Sequence, residues 1–305
     1  MTEPADRTSR QRFTDAATVN TYRMGALAAK LMPGPVANAA AASLGFGASF
    51  SPAKRAMIER HLRRVNPTLR GTSLRVAVQQ AFDSYARYYM ESFRLPSLSK
   101  RAVSRSFTVD GFDRITDALE LGNGCIFALP HMGGWEWAGR FMTDQGYKMT
   151  VVVEALEPPE LFEWFADLRK ELGMTVVPTG PGAAAAVTSA LKRNDIVCLL
   201  SDRDIERNGV EVEFFGERTT LPAGPAMLGL RVGAPVLPVG VYFTSAYNGH
   251  HAIVRPALSM QRTGGLREDV SRITQNLAYE LEFLIRRAPE QWHLFQPNWP
   301  SDPGY

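Results

Sequence analysis

Cys125-Ile126-Phe127-Ala128-Leu129-Pro130-His131-Met132-Gly133-Gly134-Trp135-Glu136 is an apolar run, a break, and the opening of a helix. A run that is apolar at every position has no solvent face, so it reads as a strand covered on both sides. Such strands belong to parallel sheets layered between helices. The polar residue after the run then lies at a strand's carboxyl end, where open α/β sheets bind ligands. Gly133 and Gly134 leave room for a sharp turn or a ligand lying close to the backbone.

The same rhythm repeats outward from this stretch. Met149–Val153, 175–177 and Ile196–Leu200 read as strands, separated by helical patterns at 134–145, 158–172 and 183–193. Val236–Phe243 and 252–254 follow as a further pair, readable as antiparallel, and Val270, Ile273, Leu277, Leu281 and Leu284 mark a long closing helix. The first hundred residues read instead as helices over 13–32, an Ala-rich stretch after Pro33-Gly34-Pro35, 53–65 behind Ser51-Pro52, and from Ser73 to before Pro96. The expected fold is α/β: a central, mostly parallel (mixed) sheet flanked by helices, with a helical N-terminal subdomain. Residues 1–105 form that N-terminal region and 106–305 the α/β core, integrated as one domain.

Composition narrows the class. The chain has 305 residues, 45% hydrophobic, 21% charged and 10% aromatic, which excludes disordered and collagenous proteins. The two cysteines, Cys125 and Cys198, both sit in apolar runs and read as buried free thiols of a reducing compartment. The N-terminus is polar, without the apolar segment of a signal peptide. The uncharged stretch 31–50 is broken by Pro33, Gly34, Pro35, Gly45 and Gly47, which argues against a spanning helix. Residues 1–106 carry 17 Lys/Arg against 6 Asp/Glu, and residues 107–305 carry 17 against 25. A basic front on an acidic body points to an anionic partner, and the anionic surface of a membrane is the favoured one. The helix 53–65, with Lys54, Arg55, Arg60, Arg63 and Arg64 beside Met57, Ile58 and Leu62, has the composition of an interfacial element. Nucleic acid is not expected, because no binding module accompanies the charge.

Three carboxylates and a histidine carry the candidate chemistry. His131 follows the strand Cys125–Leu129, and Glu136 lies five residues later. A carboxylate within reach of an imidazole fixes its tautomer and stabilises the imidazolium, as a general base requires. The competing reading is a structural histidine, with Glu136 at the positive end of a helix dipole. Leu200-Ser201-Asp202-Arg203-Asp204 places Asp202 at another carboxyl end, and Val153-Glu154 places Glu154 at a third. His250-His251 and His293 lack acids or cysteines at ligand spacing and are read as structural or exposed, so no metal is expected.

The order His131-x4-Glu136, Asp202-Arg203, Phe214-Phe215-Gly216 and Pro222-Ala223-Gly224-Pro225-Ala226 resembles the lysophospholipid acyltransferase superfamily. The branch is that of lipid A late acyltransferases and actinobacterial phosphatidylinositol mannoside acyltransferases. Gln291-Trp292-His293-Leu294-Phe295-Gln296-Pro297-Asn298-Trp299 and the stretch from Tyr85 to Pro96 are most similar to the mannoside branch. The resemblance implies transfer of an acyl chain from acyl-CoA, a co-substrate with no resident cofactor, to a sugar hydroxyl of a membrane glycolipid, such as a mannose of phosphatidylinositol mannoside. It implies His131 as general base, partnered by Glu136 or Asp202, with Asp202 preferred for the relay. It places Glu154 in the acceptor groove and Arg169 on the following helix. Arg203 would stabilise an oxyanion, hold a phosphate, or pair with a neighbouring Asp. A peripheral position on the cytoplasmic face of the cell membrane follows. The readings from other classes are a non-catalytic lipid-binding or transfer protein, and an acyltransferase for another glycolipid or a lysophospholipid.

Overall fold

The computed structural model describes residues 9–154, 157–245 and 248–305. The N-terminal region is helical throughout: α1 (Ser9–Leu31), α2 (Gly34–Ala48), α3 (Pro52–Val65), α4 (Gly71–Arg94) and α5 (Lys100–Arg105). Proline stands at the first turn of α2 and α3, where its missing N–H has no intrahelical partner to lose. The Ala- and Gly-rich sequence of α2 allows close approach to α4: a methyl at Gly45 would lie 2.6 Å from the Asp83 side chain and 2.8 Å from its Cα.

The core then alternates strands and helices. In chain order these are β1 (Phe107–Asp110), α6 (Asp113–Glu120), β2 (Cys125–Leu129), α7 (Trp135–Asp144), β3 (Met149–Val153), α8 (Pro159–Glu171), β4 (Met174–Pro178), α9 (Ala183–Lys192) and β5 (Ile196–Leu200). A hairpin of β6 (Val210–Phe214) and β7 (Glu217–Leu221) follows, then α10 (Gly224–Val232), β8 (Val236–Phe243), β9 (His250–Val254) and α11 (Leu266–Arg286). The seven-stranded sheet has the order β1-β9-β8-β2-β5-β3-β4. Strands β8, β2, β5, β3 and β4 are parallel neighbours, whereas β9 pairs antiparallel with β8 and parallel with β1. The sheet is therefore mostly parallel but mixed. Every residue of β2 and β8 is buried, as continuous apolar runs require.

The sequence reading omits β1 and the β6–β7 hairpin. The four-residue edge strand Phe-Thr-Val-Asp is too short to carry a period, but Val-Glu-Val-Glu-Phe alternates cleanly, and Phe215-Gly216, both at positive φ, forms its turn.

The two faces of the sheet are filled differently. On one, Leu277, Leu281 and Leu284 of α11 and Val187 and Leu191 of α9 close a continuous core. On the other, Ile115 of α6 and Trp137 and Met142 of α7 cover the sheet, but a large cavity remains beneath them.

The basic helix α3 departs from the expected interfacial role. Ile58, His61, Leu62 and Val65 are buried against the body. Arg60 and Arg64 turn to the end of the chain: their guanidinium nitrogens lie 3.1 and 2.6 Å from the Asp302 carboxylate, and Arg64 also pairs with Glu217 and stacks on Trp299. Asp302 accepts the backbone N–H groups of Asn298 and Trp299 as well. Burial raises its carboxyl pKa, but these N–H groups and the arginines more than offset that and hold it below its ordinary value. Two of the five basic residues of α3 thus tie down the C-terminal segment, while Lys54 and Arg63 are exposed and Arg55 is half-buried.

Replacing Arg64 with Gln should lower stability by about 1–3 kcal/mol, because it leaves a buried carboxylate short of a charged donor. The depressed Asp302 carboxyl contributes stability above the unfolded-state value of ~3.9 and loses it as pH falls through the lower folded-state value. Asp302→Asn should therefore remove part of the acid sensitivity, measured as thermal midpoint against pH.

Candidate active site

His131 is delivered by the end of β2 and a turn that only glycine can make. Gly133 has φ +58°, and a Cβ there would run into the Val241 carbonyl of β8. The chain thus leaves the sheet sharply and enters α7 two residues later.

Asp202 reaches the same edge from β5. Ser201 N–H donates to the Leu129 carbonyl at 2.8 Å, extending the β2–β5 ladder past both strands and fixing the next residue beside His131. His131 Nδ1 lies 2.7 Å from Asp202 Oδ1. The other carboxylate oxygen accepts from the Trp292 indole N–H at 2.7 Å, and the Asp202 carbonyl accepts from Asn298 Nδ2. Asp202 is wholly buried, while His131 is partly exposed. Burial alone would raise the Asp202 carboxyl. The charge and hydrogen bond of His131 and the indole bond outweigh it and hold the group below its usual value. An ionised Asp202 requires the proton on Nδ1, which leaves Nε2 as the imidazole's acceptor.

Glu136 does not join this pair. Its Oε1 accepts from Arg169 of α8 at 2.5 Å and from the Tyr88 hydroxyl of α4 at 3.3 Å. Of the two partners considered for His131, the structure brings Asp202 to the ring and turns Glu136 away. The physical reason is Arg169: with its side chain only 13% exposed, a lone guanidinium there needs a counter-charge more than a neutral imidazole does. Burial, then the Glu136 charge, push the Tyr88 phenol well up, so it stays a neutral donor.

Arg203 pairs neither with Asp202 nor with Asp204. It reaches across to Glu154 at the end of β3, Nη2 to Oε2 2.8 Å, and its Nε is buried without a partner. Glu154 and Arg203 thus meet on the rim that the strand ends share.

Tyr88, His131, Glu136, Glu154, Arg169 and Arg203 border one cavity of about 790 Å³, whereas Asp202, Trp292 and Asn298 do not line it. Its mouth carries His131, Glu136, Glu154, Arg169 and Arg203 together with Tyr85 and Tyr89. Its interior is apolar: it passes Ala138, Gly139 and Met142 of α7, Met149 and Met174 on one side, and Phe107, Ile115 and Val254 on the other. Of the aromatics near the motif, Trp135 and Phe127 line it, whereas Trp137 stacks on the buried ring of His250 instead. Cys198 is on the wall, but burial pushes its thiol far up, and that of Cys125 to about 12, so neither supplies a thiolate nucleophile. His250 faces Glu91 at 2.8 Å and His293 faces Ser84 at 2.9 Å; both are structural partners of α4.

Trp292, Asn298 and Tyr88 escape sequence reasoning as site residues. Trp292 lies 90 residues from Asp202, and no spacing rule connects them.

Removing the Glu136 charge should strand Arg169. Glu136→Gln is expected to cost about 1–3 kcal/mol, and the further change Arg169→Met should restore part of it. Denaturant midpoints of the two singles and the double complete the cycle.

The model of the family described as bacterial lipid A biosynthesis acyltransferase matches residues 6–301. A phosphatidylinositol mannoside acyltransferase of Mycobacterium tuberculosis is 39% identical over 227 residues, covering 73% of this chain and 70% of its own. Its namesake from Mycolicibacterium smegmatis is 36% identical over 228 residues, covering 74% and 73%. With a histidine–aspartate pair at the mouth of a deep apolar cavity and a match across nearly its whole length, this chain belongs to the bacterial lipid A biosynthesis acyltransferase family.

Proposed function

We propose that the protein transfers a fatty acyl chain from acyl-CoA to a sugar hydroxyl of a membrane glycolipid, a mannose of phosphatidylinositol mannoside being the favoured acceptor. The observation that carries this reading is the position of the His131–Asp202 pair, at the junction of a polar mouth and an apolar cavity. An acyl chain fits the apolar part, and its thioester carbonyl then lies at the junction. The mouth, with Glu154, Arg203, Tyr85 and Tyr89, suits hydroxyl groups and aromatic stacking. The names of the relatives supply the acceptor class.

The steps balance with these groups alone. His131 Nε2 takes the proton of the sugar hydroxyl as its oxygen attacks the thioester carbon. Asp202 stabilises the imidazolium that forms. The tetrahedral intermediate collapses with loss of the C–S bond, the CoA sulfur recovers the proton from the imidazolium, and ester and CoA are released. Arg203, with its unpartnered Nε, is the cation nearest in sequence to the pair and is suited to the negative charge of the intermediate or of a donor phosphate.

A lipid-linked acceptor requires docking on a bilayer. Among the described residues no helix is long and apolar enough to cross one. The docking surface we propose is the outer face of α1 and α2. Met24, Leu27, Leu31, Val36, Leu44, Phe46 and Phe50 are all more than half exposed, Leu31 at 77%. The basic surplus of residues 1–106 assists, with Lys54 and Arg63 the exposed basic residues of α3. An acyl-CoA donor places the docking on the cytoplasmic face.

Two measurements test the reading. His131→Ala should reduce acyl transfer by ~10²–10⁴-fold, assayed with palmitoyl-CoA and a panel of mannosylated phosphoinositides, other glycolipids and lysophospholipids, with products identified by mass spectrometry. Binding of lipid without release of CoA would favour a lipid carrier instead. For docking, Leu27→Glu with Leu31→Glu should weaken co-sedimentation with anionic vesicles by roughly tenfold or more per leucine. An unchanged double variant would place the anchor elsewhere.

A further inference from the structure

The C-terminal segment does more than close the core. Residues 291–299 run past the candidate site and grip both members of its pair. Met132 and Trp292 form an antiparallel bridge, with His293 N–H donating to the His131 carbonyl at 2.7 Å and Gly133 N–H donating to the Gln291 carbonyl at 3.0 Å. The Trp292 indole N–H, on the same residue as the bridge, donates to Asp202 Oδ2. One short segment therefore fixes the backbone of His131 and the side chain of Asp202 in a single register.

We infer that Trp292 is a positioning residue for the transfer reaction, orienting and holding charged the carboxylate that partners His131. The inference rests on the reading of His131 and Asp202 given above. Its basis is the chemistry of the indole. The N–H donates and has no in-plane lone pair, so it cannot relay or receive a proton. It satisfies Oδ2, leaves Oδ1 to the imidazole, and opposes protonation at Oδ2, where a carboxyl proton would face the indole hydrogen. Trp292 is 4% exposed and does not border the cavity, so it has no contact through which to bind either substrate. Its ring packs against those of His61, Phe214 and Phe215.

Trp299 supplies an internal control. It is a second indole in the same segment, fully buried, and its N–H donates to the Phe214 carbonyl, away from the pair. Removing either N–H should cost stability, and only Trp292 should change the chemistry. The other titratable groups facing the pair do not confuse a pH profile near neutrality. Burial holds His293 down at about 3 and His61 at about 4, while Arg169 and Arg203 are already paired with Glu136 and Glu154.

The experiment compares wild type, Trp292→Phe, Trp299→Phe and His131→Ala as full-length chains. The assay is transfer from palmitoyl-CoA to detergent-dispersed mannosylated phosphatidylinositol, with thermal midpoints measured in parallel. Trp292→Phe should lower kcat by roughly 10- to 100-fold, the factor that loss of one charge-assisted hydrogen bond implies. KM for palmitoyl-CoA should stay within about twofold, since uniform substrate binding is untouched. The acid limb of kcat/KM should move to higher pH, because a buried carboxylate deprived of a donor makes proton uptake by the pair more favourable. Trp299→Phe should lower the midpoint while keeping kcat and the limb. Trp292→Phe within twofold of wild type with an unmoved limb would overturn the inference, as would Trp299→Phe reproducing the same loss and shift. His131→Ala at wild-type rate would overturn the underlying reading, and the inference with it. An inactive His131→Ala beside an unaffected Trp292→Phe would overturn the inference alone. If Trp292→Phe fails to fold, the sulfur isostere of the indole at position 292 keeps the ring's shape and lacks only the N–H. The same loss and shift are expected of it, and their absence would count against the inference.

Discussion

A carboxylate removed entirely from water is the constraint around which the site is arranged. Asp202 has no exposed surface, and an isolated charge there would be expelled as the neutral acid. It stays ionised because two parts of the chain converge on its carboxylate: the loop after β2 with His131, and the C-terminal segment with the Trp292 indole. The convergence in turn depends on β2 and β5 being parallel neighbours in register, which brings their carboxyl ends to one edge. The sharp exit at Gly133, the late return of the chain end, and the pairing of Met132 with Trp292 all serve that one buried charge.

The asymmetry of the sheet explains where a substrate can go. On one face the side chains of α9 and α11 join the sheet in a continuous core, while the face under α7 is lined by apolar side chains that do not meet. Small residues at Ala138 and Gly139 of α7 keep the helix from filling the space, and Gly139 approaches Met174 so closely that a methyl there would collide with its side chain. A largely apolar space ending at a charged rim is costly in packing. Its retention fits a ligand that is itself long, apolar and headed by a polar group.

The arginines show how the same residue type is used in opposite ways. On α3, Arg60 and Arg64 neutralise a buried Asp302 and lock the chain end against the body. At the rim, Arg169 and Arg203 each face one carboxylate, Glu136 and Glu154, and so line the mouth with paired rather than free charge. The lock on Asp302 and the hold on Asp202 belong to one segment, so α3 stabilises the site from outside the cavity, while α4 lines it with Tyr85, Tyr88 and Tyr89.

Much of this was written locally. The apolar runs of β2, β3, β5 and β8, the prolines and glycines that punctuate α2 and α3, and the carboxyl-end positions of His131, Glu154 and Asp202 follow from patterns a few residues long, because hydrophobic period and turn chemistry are local properties. The partners were not. By residue type Glu136 and Asp202 were both open as neighbours for His131, Asp202 being preferred only on the resemblance, and the β2–β5 register and the competing demand of Arg169 separate them. The basic stripe of α3 read as a membrane face because sequence reports charge but not counter-charge, and Asp302 lies some 240 residues away. Trp292 stood within the stretch 291–299 that carries the resemblance, but nothing local tied it to Asp202. Its meaning depends on an N–H meeting a carboxylate across 90 residues, and distance in space is the one quantity that a linear pattern does not encode.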